Sequence, residues 1–282
     1  MEGCRETKKE KIMEFFRRDF KEDTFTLYPI GDFHYGSEQC DVNFIKKVVK
    51  EIQHDPLAYW VGMGDFIENA IPGSPGGICE QVILPGKHQI DSICEILLPI
   101  ARKGLFLIAG NHEARTRRNT GMIPEELIAF KLDLPYKGFS CLSTFQLSKT
   151  NISSRIISCY FHHNYGGGYT KGGKINRAEQ LRLLVPTADA IFSGHFHITS
   201  RIAWIWYDTA PTHIRERIGY DYIIGSALKW NGSYAEEKGK PAAVREFIKV
   251  NFKISRSTIN GVRDWVIRQK YQVIQPEEEI DE

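Results

Sequence analysis

Five short stretches of this chain end in residue types that bind metal ions: Gly31-Asp32-Phe33-His34, Gly64-Asp65, Gly110-Asn111-His112-Glu113, His162-His163-Asn164 and Gly194-His195-Phe196-His197. Six of the nine histidines of the 282-residue chain fall within them. Imidazole and carboxylate suit Mn, Fe, Zn, Co or Ni, and a carboxylate can bridge two ions through its two oxygens. Ions held roughly 3.5–4 Å apart turn a bridging water into a nucleophile at neutral pH and stabilise charge on a phosphoryl oxygen. Glycine ahead of a ligand lets the backbone turn sharply and approach the site with no Cβ in the way. Each stretch alone has a plainer reading. Gly-Asp after a strand is often only a turn, and an isolated His112 or His195 is more often a surface or satisfied core residue. Five such stretches in series point to a metal centre.

What must position them is legible just upstream. Every stretch directly follows an apolar run of strand length: Phe25 to Ile30, Leu57 to Met63, Gly104 to Ala109, Ile156 to Phe161 and Ala188 to Ser193. Helical spacing separates them, in Val42, Ile45, Val48, Val49 and Ile52 behind an Asp41 cap, and in Ile90, Ile93, Cys94, Leu97, Leu98 and Ala101. A third start signal is Asn176 with Glu179, opening a stretch that ends at Pro186. Strands alternating with helices predict an α/β fold whose core strands are mainly parallel and buried on both faces. Functional residues then gather at the carboxyl ends of those strands.

In this order the blocks D-x-H, G-D, G-N-H-D/E, His and G-H-x-H resemble the calcineurin-like metallophosphoesterases, over Asp32 to His197. The resemblance implies a two-sheet α/β/β/α sandwich with the metals at one edge. It implies that Asp32, His34 and His197 hold one ion and that Asp65 bridges. Asn111, His195 and one of His162 and His163 then hold the other, with His162 the preferred member of the doublet. His112 becomes a histidine that is not a ligand and helps protonate the leaving oxygen, its ring oriented by a carboxylate that the sequence does not identify. The implied reaction is in-line attack of a metal-bridging hydroxide on a phosphate ester. Mn²⁺ is the expected ion, and Fe, Zn²⁺, Ni²⁺ and Co²⁺ share its ligand types.

The substrate is less sharply written. Arg115, Arg117 and Arg118 follow the presumed catalytic loop and are expected to hold a substrate phosphate, although such a run is often just a solvated face. The protein Ser/Thr phosphatases continue their second block as G-D-x-V-D-R-G, whereas this chain reads Gly64-Asp65-Phe66-Ile67-Glu68-Asn69, which lacks their arginine. The segment His162 to Lys174, with Gly225-Ser226 and Tyr234-Ala235-Glu236, resembles metallophosphoesterases of phages and prophages. A phosphodiesterase or nuclease-like enzyme is therefore the favoured reading, with nucleic acid or nucleotide as substrate. A phosphomonoesterase or protein phosphatase is the alternative, and a non-catalytic metal-binding scaffold a weaker one. Trp204, Trp206, Tyr207, Tyr220 and Tyr222 are expected to pack in a sheet rather than stack on bases.

Composition bounds the rest. With 42% hydrophobic and 26% charged residues and a net charge of +2, the chain reads as an ordinary globular protein. No apolar run is long enough to cross a bilayer and Met1 to Phe20 is rich in charge, so a soluble, cytoplasmic protein is expected. Six scattered cysteines without a C-x-x-C pair indicate neither a zinc knuckle nor a disulfide framework. The expected organisation is a helical N-terminal appendage over 1–20, one metallophosphoesterase domain over 21–275 and an acidic tail over 276–282.

Overall fold

The computed structural model describes residues 13–74, 81–150, 153–209, 214–259 and 262–277. Strands β1 (Phe15–Asp19) and β2 (Thr24–Ile30) precede helix α1 (Val42–His54). The helix begins where its cap residue predicts, since an Asp41 carboxylate oxygen accepts the Phe44 N–H at 2.9 Å. Its apolar stripe, Phe44, Ile45, Val48, Val49 and Ile52, is buried. Then come β3 (Ala58–Gly62), α2 (Lys87–Leu97), β4 (Gly104–Leu107), α3 (Ala114–Thr120) and α4 (Pro124–Lys131). The second half contains β5 (Ser140–Thr150), β6 (Ser153–His162), α5 (Lys171–Glu179), β7 (Ala190–Ser193), β8 (Thr199–Thr209) and β9 (Ile214–Ser226). A hairpin of β10 (Glu246–Ile259) and β11 (Val262–Ile274) closes the fold.

The architecture is mixed α/β around one curled sheet. Its hydrogen bonds run β1-β5-β6-β7-β9-β10-β2-β3-β4, with β8 on β9 and β11 on β10. Two parallel runs, β2-β3-β4 and β6-β7-β9, hold the five strands that lead into the metal-binding stretches. The remaining pairings, apart from the parallel β1-β5 pair, are antiparallel, so the expectation of mainly parallel strands describes the site-bearing strands and not the whole sheet. Short connections such as that from β5 to β6 permit no crossover and enforce a hairpin.

The curl brings the two arms of the sheet face to face. Phe25, Leu27, Val61 and Phe106 from one arm share an apolar core with Phe145, Phe161, Phe192 and Tyr222 from the other. Phe106 and Phe161 meet across it at a ring separation of 5.3 Å. Each such side chain contributes ~1.5–3 kcal/mol when fully buried. A second core under α1 and α2 packs Ile45, Val48, Ile93 and Leu97 against Tyr28, Ile30 and Trp60. Strand ends are thus clamped from both faces.

Several expectations change. Over the helical appendage expected at 1–20, residues 1–12 lie outside the described residues, and Phe15–Asp19 is a strand parallel to β5. Period-two alternation decides this, because Phe16 faces Phe106 at 5.0 Å while Phe15 is exposed. Helix α5 starts at Lys171 and not near Asn176, because the Thr170 hydroxyl accepts the Gly173 N–H at 3.1 Å and caps it earlier. Most of the acidic tail, 278–282, lies outside the described residues. Tyr222 stacks between Phe192 at 5.1 Å and Tyr271 at 5.9 Å, a packing role. Among the described residues no helix is long and apolar enough to cross a membrane.

Candidate metal centre

Leaving their strands, Asp32, His34, Asp65, His195 and His197 all adopt the left-handed backbone region, with φ of 49°, 50°, 50°, 72° and 52°. Residues other than glycine seldom sit there, at ~1–3 kcal/mol each, and persist only where the surroundings hold them. Here the turns hold one another. Asp32 N–H donates to Gly64 O at 2.9 Å, and Phe33 N–H and His34 N–H donate to Asp65 O at 2.9 and 3.0 Å. Gly110 is required by the close approach of the next turn, since a Cβ there would lie 2.5 Å from Glu113 Oε2 and collide with Asp65.

The side chains converge in two outer groups joined by a third. Asp32, His34 and His197 form one and Asp65, His163 and His195 another, with His34, Asp65 and His112 between them, the donor atoms of each group lying within 4.8 Å of one another. His197 Nε2 lies 3.3 Å from Asp32 Oδ1 and 3.0 Å from His34 Nε2. His163 Nε2 lies 3.1 Å from Asp65 Oδ2 and 3.0 Å from Asn111 Oδ1, while its Nδ1–H donates to Met63 O at 2.7 Å. Main-chain groups fix the carboxylates. His195 N–H donates to Asp32 Oδ2 at 2.9 Å and His112 N–H to Asp65 Oδ1 at 2.8 Å.

Of the doublet, the structure brings His163 and not the preferred His162 to the donor groups. His162 stands apart from all three: its Nδ1 accepts the Asn164 N–H at 2.7 Å and its ring stacks near Tyr160. The arginines also separate. Arg115 donates to Glu68 O at 3.1 Å, and its Nη2 lies 3.1 Å from His112 Nε2. Arg117 instead lies over the Phe139 ring at 4.5 Å, and Arg118 is exposed.

Three carboxylates at the site carry roles that the sequence does not assign. Glu68 places its oxygens 3.2 Å from both His34 Nδ1 and His112 Nδ1, which makes it the carboxylate that orients the His112 ring. Its place three residues beyond Asp65 was the available signal. Glu113 accepts the N–H groups of Asp65, Phe66 and Ile67 at 3.1, 2.6 and 3.2 Å. Glu125 accepts Gly110 N–H at 2.9 Å. These two brace the turns from below, and nothing in local spacing announces them.

Charge is distributed unevenly. Burial alone would raise the Asp65 carboxyl, but His163, His112 and His34 hold it well below the usual carboxylate range. Burial would lower His163, yet the Asp65 and Asp32 carboxylates push its imidazole up to about 10. His195 is lowered to about 4 by burial and the charge of His163, and His34 is lowered by burial and His112. Burial raises Glu125 to about 7 and, together with Glu125 and Asp65, lifts Glu113 well above the carboxylate range.

The donor set fits metal ions. Asp65 Oδ2 is buried without a hydrogen bond that meets ordinary geometry, yet three imidazole nitrogens surround it, at 3.1 Å from His163, 3.9 Å from His34 and 4.0 Å from His112. A buried carboxylate oxygen without a hydrogen bond is costly, and a cation shared with the imidazoles satisfies it.

No family model and no curated protein matches the chain. Among solved structures it is similar to that of Vacuolar Protein Sorting 29 from Cryptosporidium parvum, at 11% identity, over 89% of this chain and 100% of that chain, with a TM-score of 0.40.

Proposed function

We propose that the chain is a dinuclear-metal-dependent phosphodiesterase of the calcineurin-like type, its curled sheet serving as the two-layer sandwich of that family. The observation that supports it is the convergence of Asp32, His34, His197, Asp65, His163 and His195 about the buried Asp65 carboxylate. In this reading Asp32, His34 and His197 would hold one ion, Asn111, His163 and His195 would hold the other, and Asp65 would serve both. Mn²⁺ is the expected occupant, with Fe, Zn²⁺, Ni²⁺ and Co²⁺ meeting the same donors. Bound ions supply Lewis acidity toward a phosphoryl oxygen and a water acidified to near neutrality.

The protein's own groups do the rest. Glu68 fixes the His112 ring through Nδ1, so that Nε2 faces the site, 4.0 Å from Asp65 Oδ2. A proton carried at that nitrogen passes to the departing oxygen. Arg115, lying beside His112 with a planar fork of donors, binds a non-bridging oxygen of the ester.

The test is hydrolysis of a chromogenic phosphodiester and of the matching monoester by metal-stripped protein with each ion added back. Metal-dependent turnover with a diester preference is expected. Monoester preference replaces the phosphodiesterase reading with a phosphomonoesterase, and no turnover of either by metal-loaded protein overturns the enzyme reading in favour of a binding scaffold.

A further inference from the structure

Immediately beyond His163 the chain makes a glycine-rich loop and then helix α5. This segment carries charge that the metal chemistry does not use. The loop is tied to the site, because Gly166 O accepts a hydrogen bond from His195 Nε2. Lys171, Lys174 and Arg177 follow at three-residue spacing on α5 and share one broad face of the helix. Two of them crowd onto the loop: the Lys174 stem passes 3.2 Å from where a Cβ on Gly168 would lie, and Arg177 Nη2 passes 3.5 Å from where one on Gly166 would lie. Among the described residues no carboxylate pairs with any of the three. Burial, then Lys240 and Lys171, lower the Lys174 ammonium. Tyr165, 62% exposed, presents its ring beside this charge with the Arg177 guanidinium 4.6 Å above it.

Cations without a carboxylate partner beside an exposed aromatic ring, one hydrogen bond away from a phosphoester site, are the chemistry that tracks an unpaired polynucleotide. We propose that Lys171, Lys174 and Arg177 form a subsite for the phosphates flanking the scissile ester of single-stranded nucleic acid, with Tyr165 stacking on an adjacent base. The inference rests on the phosphodiesterase reading and names its substrate class. A small chromogenic diester carries neither the flanking phosphates nor the base, so it does not reach this subsite.

The experiment is fluorescence anisotropy of a labelled oligothymidylate of about ten nucleotides. It is titrated with the full chain in a metal chelator across a salt series, beside metal-dependent hydrolysis of bis(4-nitrophenyl) phosphate. Wild-type protein is expected to bind with a salt slope that falls by about 1.4 in Lys171→Gln/Lys174→Gln, as about 0.7 is lost per phosphate contact. Tyr165→Ala is expected to weaken binding ~5- to 100-fold. Circular dichroism melts establish that both variants fold. Turnover of the small diester without oligonucleotide binding, or an unchanged slope in the double variant, overturns the subsite and leaves the metal-centre reading standing. Absence of metal-dependent turnover overturns that reading, and the subsite with it.

Discussion

His163 Nε2 lies 3.1 Å from Asp65 Oδ2, and each side chain is almost wholly shielded from water. In the metal-free chain this is an ion pair, with the imidazole pushed up to about 10 and the carboxyl held well below its usual range. A proton on His163 thus occupies the place of the positive charge that Asp65 demands. Any ion that binds there must displace it.

Asp65→Asn keeps the shape of the side chain and removes its charge. Because Asp65 faces both groups of donors, metal content and diesterase turnover should fall together, turnover by at least ~10²-fold. Elemental analysis of purified variant alongside kinetics checks this. Full activity in Asp65→Asn would show that the carboxylate does not serve both ions.

The two histidines of the doublet should behave differently. His163→Asn is expected to lose metal stoichiometry, whereas His162→Asn, changed at a ring that stacks near Tyr160, keeps it. Calorimetric metal titration of the two variants decides between them, and a reversed outcome would restore the assignment of His162.

The pH dependence has a defined sign. His163 has a folded pKa above the ~6.5 of an unfolded chain. Its contribution to the stability of the metal-free fold is therefore fully present below ~6.5 and is lost as pH rises through about 10. Melting temperatures in chelator should drop across that window in wild type, and less so in His163→Gln. With ion added at neutral pH, a weakly buffered solution should acidify, and apparent affinity should climb ~10-fold per pH unit until the proton is gone. An ion uptake that releases no proton would contradict the pairing.

His112→Ala should retain most metal while turnover slows ~10²–10⁴-fold. Glu68→Gln should damage both properties, since the one carboxylate contacts His34 and His112. Roughly 10–100-fold losses in metal affinity and in kcat are expected. Loss of metal from His112→Ala would mean that this ring is a ligand.

Gly110→Ala tests the packing of the turns without touching a donor. The added methyl would strike Asp65 and Glu113, so destabilisation on the order of 3 kcal/mol, with weakened metal binding, is expected. A denaturant titration in chelator measures the first and calorimetry the second.

Much of this was legible in the chain, for identifiable reasons. The five apolar runs became β2, β3, β4, β6 and β7 because each had strand length and ended in glycine or polar residues. The site residues stood out because imidazoles concentrated at those ends. What eluded the sequence depended on tertiary neighbours. Cys159 and Phe161 point into the core between the two arms, so His163, two residues on, shares their face, whereas His162 follows Tyr160 to the other side. Alternation held that answer, but only once the inward face was known. Glu113 and Glu125 brace turns far from them in sequence, and local spacing carries no trace of such contacts. Of the arginines, helix geometry turned Arg115 to the site and Arg117 to Phe139.

The left-handed turns at Asp32, His34, Asp65, His195 and His197 carry a thermodynamic consequence. Their ordering is completed when the sheet curls and the mutual backbone hydrogen bonds form, so the conformational entropy of these loops is lost during folding and not during ion capture. Binding then has little left to organise, and its calorimetric profile should be governed by the dehydration and donor preference of the ion. The fold, in that sense, separates the cost of building the cavity from the choice of what fills it.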